Sequence, residues 1–272
     1  VLGRHSTLNV SNSQNLNITL SSVSRYPALV GVTIAILLES TSFTMSIRCV
    51  AFDLDDTLWA CRPVIEHAEQ HFYAWLVAHY PRITTQYTAA ALIENRVAYM
   101  RQRPELHYNL TQLRKNWLES LAHAHDYPAE NLCETGFTVF WQARNAVTLF
   151  DGTREVLEHL AAHFITGVIS NGNASVQHIG IGHLFDFVHS AEAAGVAKPH
   201  PEIFRQALAM ADVAAHEAVY VGDDPLRDIQ GAADAGWRTV WFNPEQQPWP
   251  GGQAPDAVIN NLAELQTVIP LL

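Results

Sequence analysis

The chain has 272 residues, 48% of them hydrophobic and 16% charged, enough apolar material for one large domain or a core domain with an insertion. Sixteen basic against 27 acidic residues leave a formal charge of −11, which excludes a general nucleic-acid binder and suits an anionic membrane surface badly. Cys49, Cys61 and Cys133 are odd in number and widely spaced, so neither a disulfide framework nor a zinc knuckle is predicted and a reduced, cytoplasmic setting is expected.

Residues 1–44 carry only Arg4, Arg25 and Glu39 as formal charges, a net of +1 that leaves −12 for residues 45–272. The segment is dense in Ser, Thr and Asn. Its one apolar run, Ala28–Leu38, is too short for a bilayer span, which takes about 20 residues. The run has the length of a signal-peptide apolar region, but a long, weakly charged start precedes it and no A-x-A site follows. Residues 1–44 are therefore expected to be a non-native or disordered N-terminal extension, with the folded protein beginning at Met45.

From Ile47 the pattern changes. Ile47–Phe52 is short and mostly apolar, as a strand covered on both faces should be. The runs at 164–169, 218–221 and 238–242 read likewise. Helical patterns lie between them at 153–162, 201–211 and 226–235, with Gly236 as a C-cap. This alternation predicts an α/β fold, a Rossmann-like parallel sheet with helices on both faces. The stretch 63–148 has no strand run, and Pro81, Pro104 and Pro128 divide it into about four helices. The expected organisation is a sheet domain from 45–62 and 149–272 with a helical domain, 63–148, inserted after the first strand.

Four motifs follow strand ends. Asp53-Leu54-Asp55-Asp56-Thr57-Leu58 closes the first strand with two carboxylates that converge on one ligand and repel each other unless a cation intervenes. Ile169-Ser170-Asn171-Gly172 presents a hydroxyl and backbone N–H groups suited to a phosphate. Lys198, one of only two lysines, stands in Ala197-Lys198-Pro199-His200-Pro201. Gly222-Asp223-Asp224-Pro225 closes the strand at 218–221 and is followed by Asp228. Asp224 and Pro225 also read as an N-cap and first helical residue. In a parallel sheet all four motifs gather at the carboxyl edge, where open α/β sheets bind ligands.

In this order the motifs resemble those of the haloacid dehalogenase-like hydrolases, with Leu149–Leu157 similar to the segment that re-enters the core after a helical cap. The resemblance implies a phosphatase. Asp53 would be the nucleophile forming an aspartyl-phosphate, and Asp55 the general acid and base. It implies Mg²⁺ held by Asp53, the Asp55 backbone carbonyl and Asp223. It also implies phosphate binding by Ser170 and the Asn171 N–H, and charge neutralisation by Lys198. Asp224 and Asp228 would orient Lys198 or metal-bound water. Because Asp55 must be protonated in the first step, surroundings that favour its neutral form are expected. An acid at that position also separates phosphoryl transfer from the dehalogenases of the family, whose halide leaves unprotonated. A mutase uses the same core.

Trp59–Glu66 and Ile169–Ala174 further resemble bacterial phosphatases acting on flavin mononucleotide and on 5-amino-6-(5-phospho-D-ribitylamino)uracil, the riboflavin-synthesis branch. Trp59 would stack on such a ring or else pack core against cap, and Arg62 would meet a second anionic group or solvent. The expected partner is a small phosphate monoester, with no nucleic acid and no membrane, and the state a monomer or homodimer. A broad-specificity sugar-phosphate or nucleotide phosphatase is the alternative substrate reading, and a catalytically silent binding protein the alternative of another class. A signalling receiver domain places its acidic pair and phosphorylated Asp on different strands and fits poorly. His67 with His71, and His123 with His125, are helical or near-neighbour pairs without an evident third metal ligand.

Overall fold

A computed structural model describes residues 47–272. The expectation for the N-terminal extension therefore lies outside the described residues. After β1 (Cys49–Phe52) the chain enters a run of helices: α1 (Cys61–His79), α2 (Pro81–Gln86), α3 (Ala89–Arg101), α4 (Leu110–Ala124), α5 (Ala129–Asn131), a π-turn over Leu132–Gly136 and α6 (Phe137–Arg144). Strands and helices then alternate through α7 (Thr153–Ala161), β2 (Ile165–Ser170), α8 (Val176–Ile179), β3 (Phe187–Ser190), α9 (Ala191–Ala194), α10 (Pro201–Ala211) and β4 (Ala218–Gly222). A π-helical turn over Pro225–Gln230 leads to α11 (Gly231–Asp234), β5 (Arg238–Phe242), β6 (Ala257–Ile259) and α12 (Leu265–Val268).

The six strands form one parallel sheet in the order β3-β2-β1-β4-β5-β6. The fold is α/β, as the alternating pattern predicts. β1 lies at the centre and is buried at all four positions. The two-residue side-chain period sends Val50 and Phe52 into one core with Val219, Val221 and the α7 residues Val156 and Leu160. Cys49 and Ala51 enter a second core with Ala218, Tyr220 and the α10 residues Ile203 and Phe204. Asp53 continues the ladder, its N–H donating to the Val221 carbonyl at 2.9 Å. Period two thus puts Asp53 on the Tyr220 side of the sheet.

A third core belongs to the helices between β1 and β2, where Phe72 and Leu76 of α1 pack with Trp117 and Leu121 of α4 and Phe140 of α6. Pro81 and Pro104 each open a helical segment and Pro128 immediately precedes α5, the positions where a missing N–H is harmless.

Two strands have no clear signature in the sequence. β3 exposes Val188 and carries His189, and β6 is three residues long, so neither presents the continuous apolar run of a central strand. The helix expected over 226–235 is instead a π-turn followed by a short α-helix. Asp228 and Ile229 both donate to the Asp224 carbonyl, at 3.0 and 3.3 Å, which widens the first turn. Gly236 does end it, at φ +85°.

Candidate active site

The carboxyl ends of β1 and β4 sit side by side at the point where the sheet order reverses, and their tips carry Asp53 and Asp223. Lys198 reaches between them from the loop before α10. Its Nζ lies 2.8 Å from Asp53 Oδ1, 2.7 Å from Asp228 Oδ1 and 2.9 Å from the Tyr220 hydroxyl. The loop itself is clamped by the Asn171 side chain, whose Oδ1 accepts from Lys198 N at 2.8 Å and whose Nδ2 donates to Lys198 O at 3.0 Å. Asn171, viewed in the sequence as a source of a backbone N–H, thus also has a positioning contact that only the fold reveals.

Asp53, Asp223 and Asp228 each offer a carboxylate oxygen within 4.8 Å of the others, the one such metal-capable group among the described residues. All its donors are oxygens, the ligand type of hard divalent cations. Three carboxylates and one ammonium leave two negative charges, which one such cation balances. The residues therefore fit Mg²⁺. Without it the carboxylates are held in strained company. Burial, with Asp228 adding to it and Lys198 opposing it, pushes Asp53 up to about 7. Burial with Asp228, Asp53 and Asp56 pushes Asp223 up to about 8. Burial disfavours the Lys198 ammonium, but Asp228 and Asp53 outweigh it and hold the group above its usual range.

Two backbone features make this arrangement possible. A Cβ on Gly222 would come within 2.4 Å of Asp228 Oδ2, so only glycine leaves room for that carboxylate. Asp224 caps the π-turn, accepting from Leu226 N at 2.9 Å and Arg227 N at 2.8 Å, while its own N–H donates to Asp228 Oδ2 at 3.0 Å. Asp224 thus supports Asp228 through its backbone, and its carboxylate serves the turn. Thr57 adds a hydroxyl donated to Asp223 Oδ1 at 3.2 Å.

Asp55 stands apart from the carboxylate group. Arg144 Nη2 contacts Asp55 Oδ1 at 2.7 Å and also reaches Oδ2, and Trp59 Nε1 donates to Oδ1 at 2.9 Å. The sequence reading expects surroundings that favour the neutral carboxyl, whereas the fold supplies a buried guanidinium at the end of α6. Trp59 is fully buried in the core that holds Val50 and Phe52, so it packs and holds Asp55 and is not free to stack on a ligand. Arg62 is exposed on the first turn of α1. Ser170, at the tip of β2, accepts from Gly172 N at 3.0 Å. His67 and His71 have ring centroids 5.0 Å apart and join no three-ligand group among the described residues, and His125 is satisfied by the Leu121 carbonyl and Gln86.

Arg144, Tyr220, Glu69, Arg96 and Arg114 lie in none of the four motifs, and Thr57 stands in the first without being singled out. For three of the charged residues the trace in the sequence is charge on an otherwise apolar helix stripe: Glu69 between Ile65 and Phe72, Arg114 before Trp117 and Leu118, Arg144 one turn after Phe140.

Known proteins share this architecture. 5-Amino-6-(5-phospho-D-ribitylamino)uracil phosphatase YigB of Escherichia coli K12 is 29% identical over 82% of this chain and 96% of its own length. Glyceraldehyde 3-phosphate phosphatase of Pyrococcus abyssi is 28% identical over 72% of this chain and 81% of its own. The crystal structure of 2-haloacid dehalogenase from Pseudomonas syringae pv. tomato DC3000 superimposes with a TM-score of 0.77 at 38% identity, covering 82% of this chain and 98% of that one. Among the described residues no helix is long and apolar enough to cross a membrane. The family described as haloacid dehalogenase-like hydrolase matches residues 47–236, and with the motifs in order and their side chains gathered at one sheet edge, this chain belongs to that family.

Proposed function

We propose that the chain is a Mg²⁺-dependent phosphomonoesterase with Asp53 as nucleophile. The observation that carries this is the convergence of Asp53, Asp223 and Asp228 within 4.8 Å, with Lys198 2.8 Å from Asp53, at the carboxyl edge of a parallel sheet. An Asp53 oxygen attacks phosphorus as the bond to the leaving oxygen breaks, and Asp55 gives that oxygen its proton. Asp55 then takes a proton from water, whose oxygen attacks phosphorus, releases phosphate and restores the Asp53 carboxylate. Arg144 must loosen its hold for Asp55 to carry the proton. Lys198 favours the ionised form of Asp53 against the effect of burial and balances charge on the transferring group, while Ser170 Oγ and the Asn171 N–H bind its oxygens. Asp228 orients Lys198, and Asp224 braces Asp228. Mg²⁺, held by Asp53, Asp223 and the Asp55 carbonyl with Asp228 beside them, would screen the carboxylates from the substrate's negative charge.

The two phosphatase relatives and the acid at position 55 support this reading over dehalogenation, which needs neither a proton for the leaving halide nor an acidic metal group. The YigB similarity and the segments 59–66 and 169–174 support the ribitylaminouracil phosphate, then flavin mononucleotide, as first substrates to try. In this reading residues 63–148 form the domain that covers the site. The test is phosphate release from a panel of esters with Mg²⁺ and with EDTA, beside chloride release from 2-chloropropionate. Metal-dependent phosphate release that Asp53→Asn abolishes is expected. Chloride release without phosphate release would overturn the reading in favour of a dehalogenase.

A further inference from the structure

A cavity of about 180 Å³ is lined by Asp55 and Gly172 of the sheet domain and by Glu69, Arg96, Arg114 and Arg144 of the helical block. Three guanidinium groups there face two carboxylates, an excess of one positive charge in a chain whose total is −11. The arginines are held rigidly. Glu69 pairs with Arg114 and, at 3.1 Å, with Arg96, the Arg114 guanidinium lies 3.2 Å from the Phe140 ring centroid, and Arg144 grips Asp55. The Arg114 and Arg144 side chains are 6% and 2% exposed.

The network sets more guanidinium donors than carboxylate oxygens around this one cavity: Arg96 and Arg114 share the single carboxylate of Glu69, and Arg144 has that of Asp55. Desolvated N–H groups on a positively charged fork call for acceptor oxygens, and a planar pair of oxygens matches that fork best.

We propose that this cavity binds the end of the substrate remote from the phosphate, and that this end presents paired acceptor oxygens; the inference rests on the phosphomonoesterase reading. A carboxylate has this chemistry and neutralises the excess charge, and the dioxo edge of a pyrimidine ring has it without the charge. Size narrows the choice further. A cavity of about 150 Å³ holds one benzene ring, so this one admits a single ring or a carboxylate on a short chain. The substrate is therefore a compact phosphate ester with an acceptor-bearing tail, its two ends read on opposite sides of Asp55.

Steady-state kinetics of the full chain test this with matched esters: 3-phosphoglycerate against glycerol 3-phosphate, uridine against cytidine 5′-monophosphate, and p-nitrophenyl phosphate as an ester without a tail. At least a tenfold preference in kcat/KM for the acceptor-bearing member of one pair is expected, the pair identifying the source of the oxygens. Arg96→Gln should erase that preference through KM. Glu69→Gln, which removes a carboxylate competing for the same donors, should strengthen it, an opposite sign that mere loss of packing would not produce. No preference in either pair, or equal losses on all esters in Arg96→Gln, overturns the inference while leaving the phosphatase intact. Failure to hydrolyse even p-nitrophenyl phosphate removes the phosphomonoesterase reading and the inference with it.

Discussion

Among the described residues buried charge is concentrated in two places, and they are of opposite sign. At the sheet edge three carboxylates gather about one lysine, and in the helical block Arg96 and Arg114 pair with Glu69 while Arg144 pairs with Asp55 around one cavity. Both groups are costly to bury, and neither is balanced by the protein alone. The acidic group is short of a cation and the basic group short of acceptor oxygens, so each is described by what it would bind. Asp55 lies between them, near the nucleophile in sequence and bound to Arg144 in space. A phosphate ester with a polar tail would satisfy both at once.

The comparison can be broken most sharply at the nucleophile. Asp53→Asn should lower turnover of any accepted ester by about 10⁴-fold or more while leaving the basic cavity intact, read by phosphate release and by ligand binding. Lys198→Met should follow. It strands Asp53 and Asp228 as buried carboxylates and should cost about 3–5 kcal/mol in metal-free protein, measured by denaturant unfolding, with added Mg²⁺ recovering part of the loss. The acidic group should also make metal-free stability depend on pH. Asp53 and Asp223 hold their protons to about 7 and about 8 when folded, whereas in the unfolded chain they titrate near 3.8. Between those values the folded state binds more protons, so stability falls as pH rises from about 4 to about 8. Mg²⁺ should flatten that slope, and an unchanged slope with Mg²⁺ would mean the cation does not sit among these carboxylates.

Gly222→Ala should act more gently, displacing Asp228 by crowding and lowering activity about 10–100-fold with the nucleophile unchanged. The smallest effect belongs to the exposed pair Arg205–Glu202, 3.2 Å apart with the side chains 57% and 43% exposed. Arg205→Ala should leave the denaturant midpoint unchanged within replicate scatter, a baseline against which the buried groups are judged.

The acidic group was almost wholly legible because its members follow strand ends. A strand in a parallel sheet has one direction, so the residues after Phe52, Ile169 and Val221 reach the same edge whatever the details of packing. Asp53, Ser170 and Asp223 needed nothing more, whereas Lys198 arrives on the loop between α9 and α10 and is held there by the Asn171 side chain. The basic group was illegible for the opposite reason. Glu69, Arg96, Arg114 and Arg144 come from α1, α3, α4 and α6, and which turn of one helix faces which turn of another is set by how side chains interlock. The same limit explains Trp59, whose aromatic ring suited a ligand as well as a core until its burial was known.

By itself, then, the sequence determined the α/β class, the parallel sheet and the line of acidic residues along its edge, because period, strand direction and turn chemistry are local. Only the tertiary structure decided that Asp55 faces Arg144, that Gly222 makes room for Asp228, and that three arginines share one cavity. Those are contacts between residues 6 to 89 positions apart, and close packing, which has no local signature, selects them.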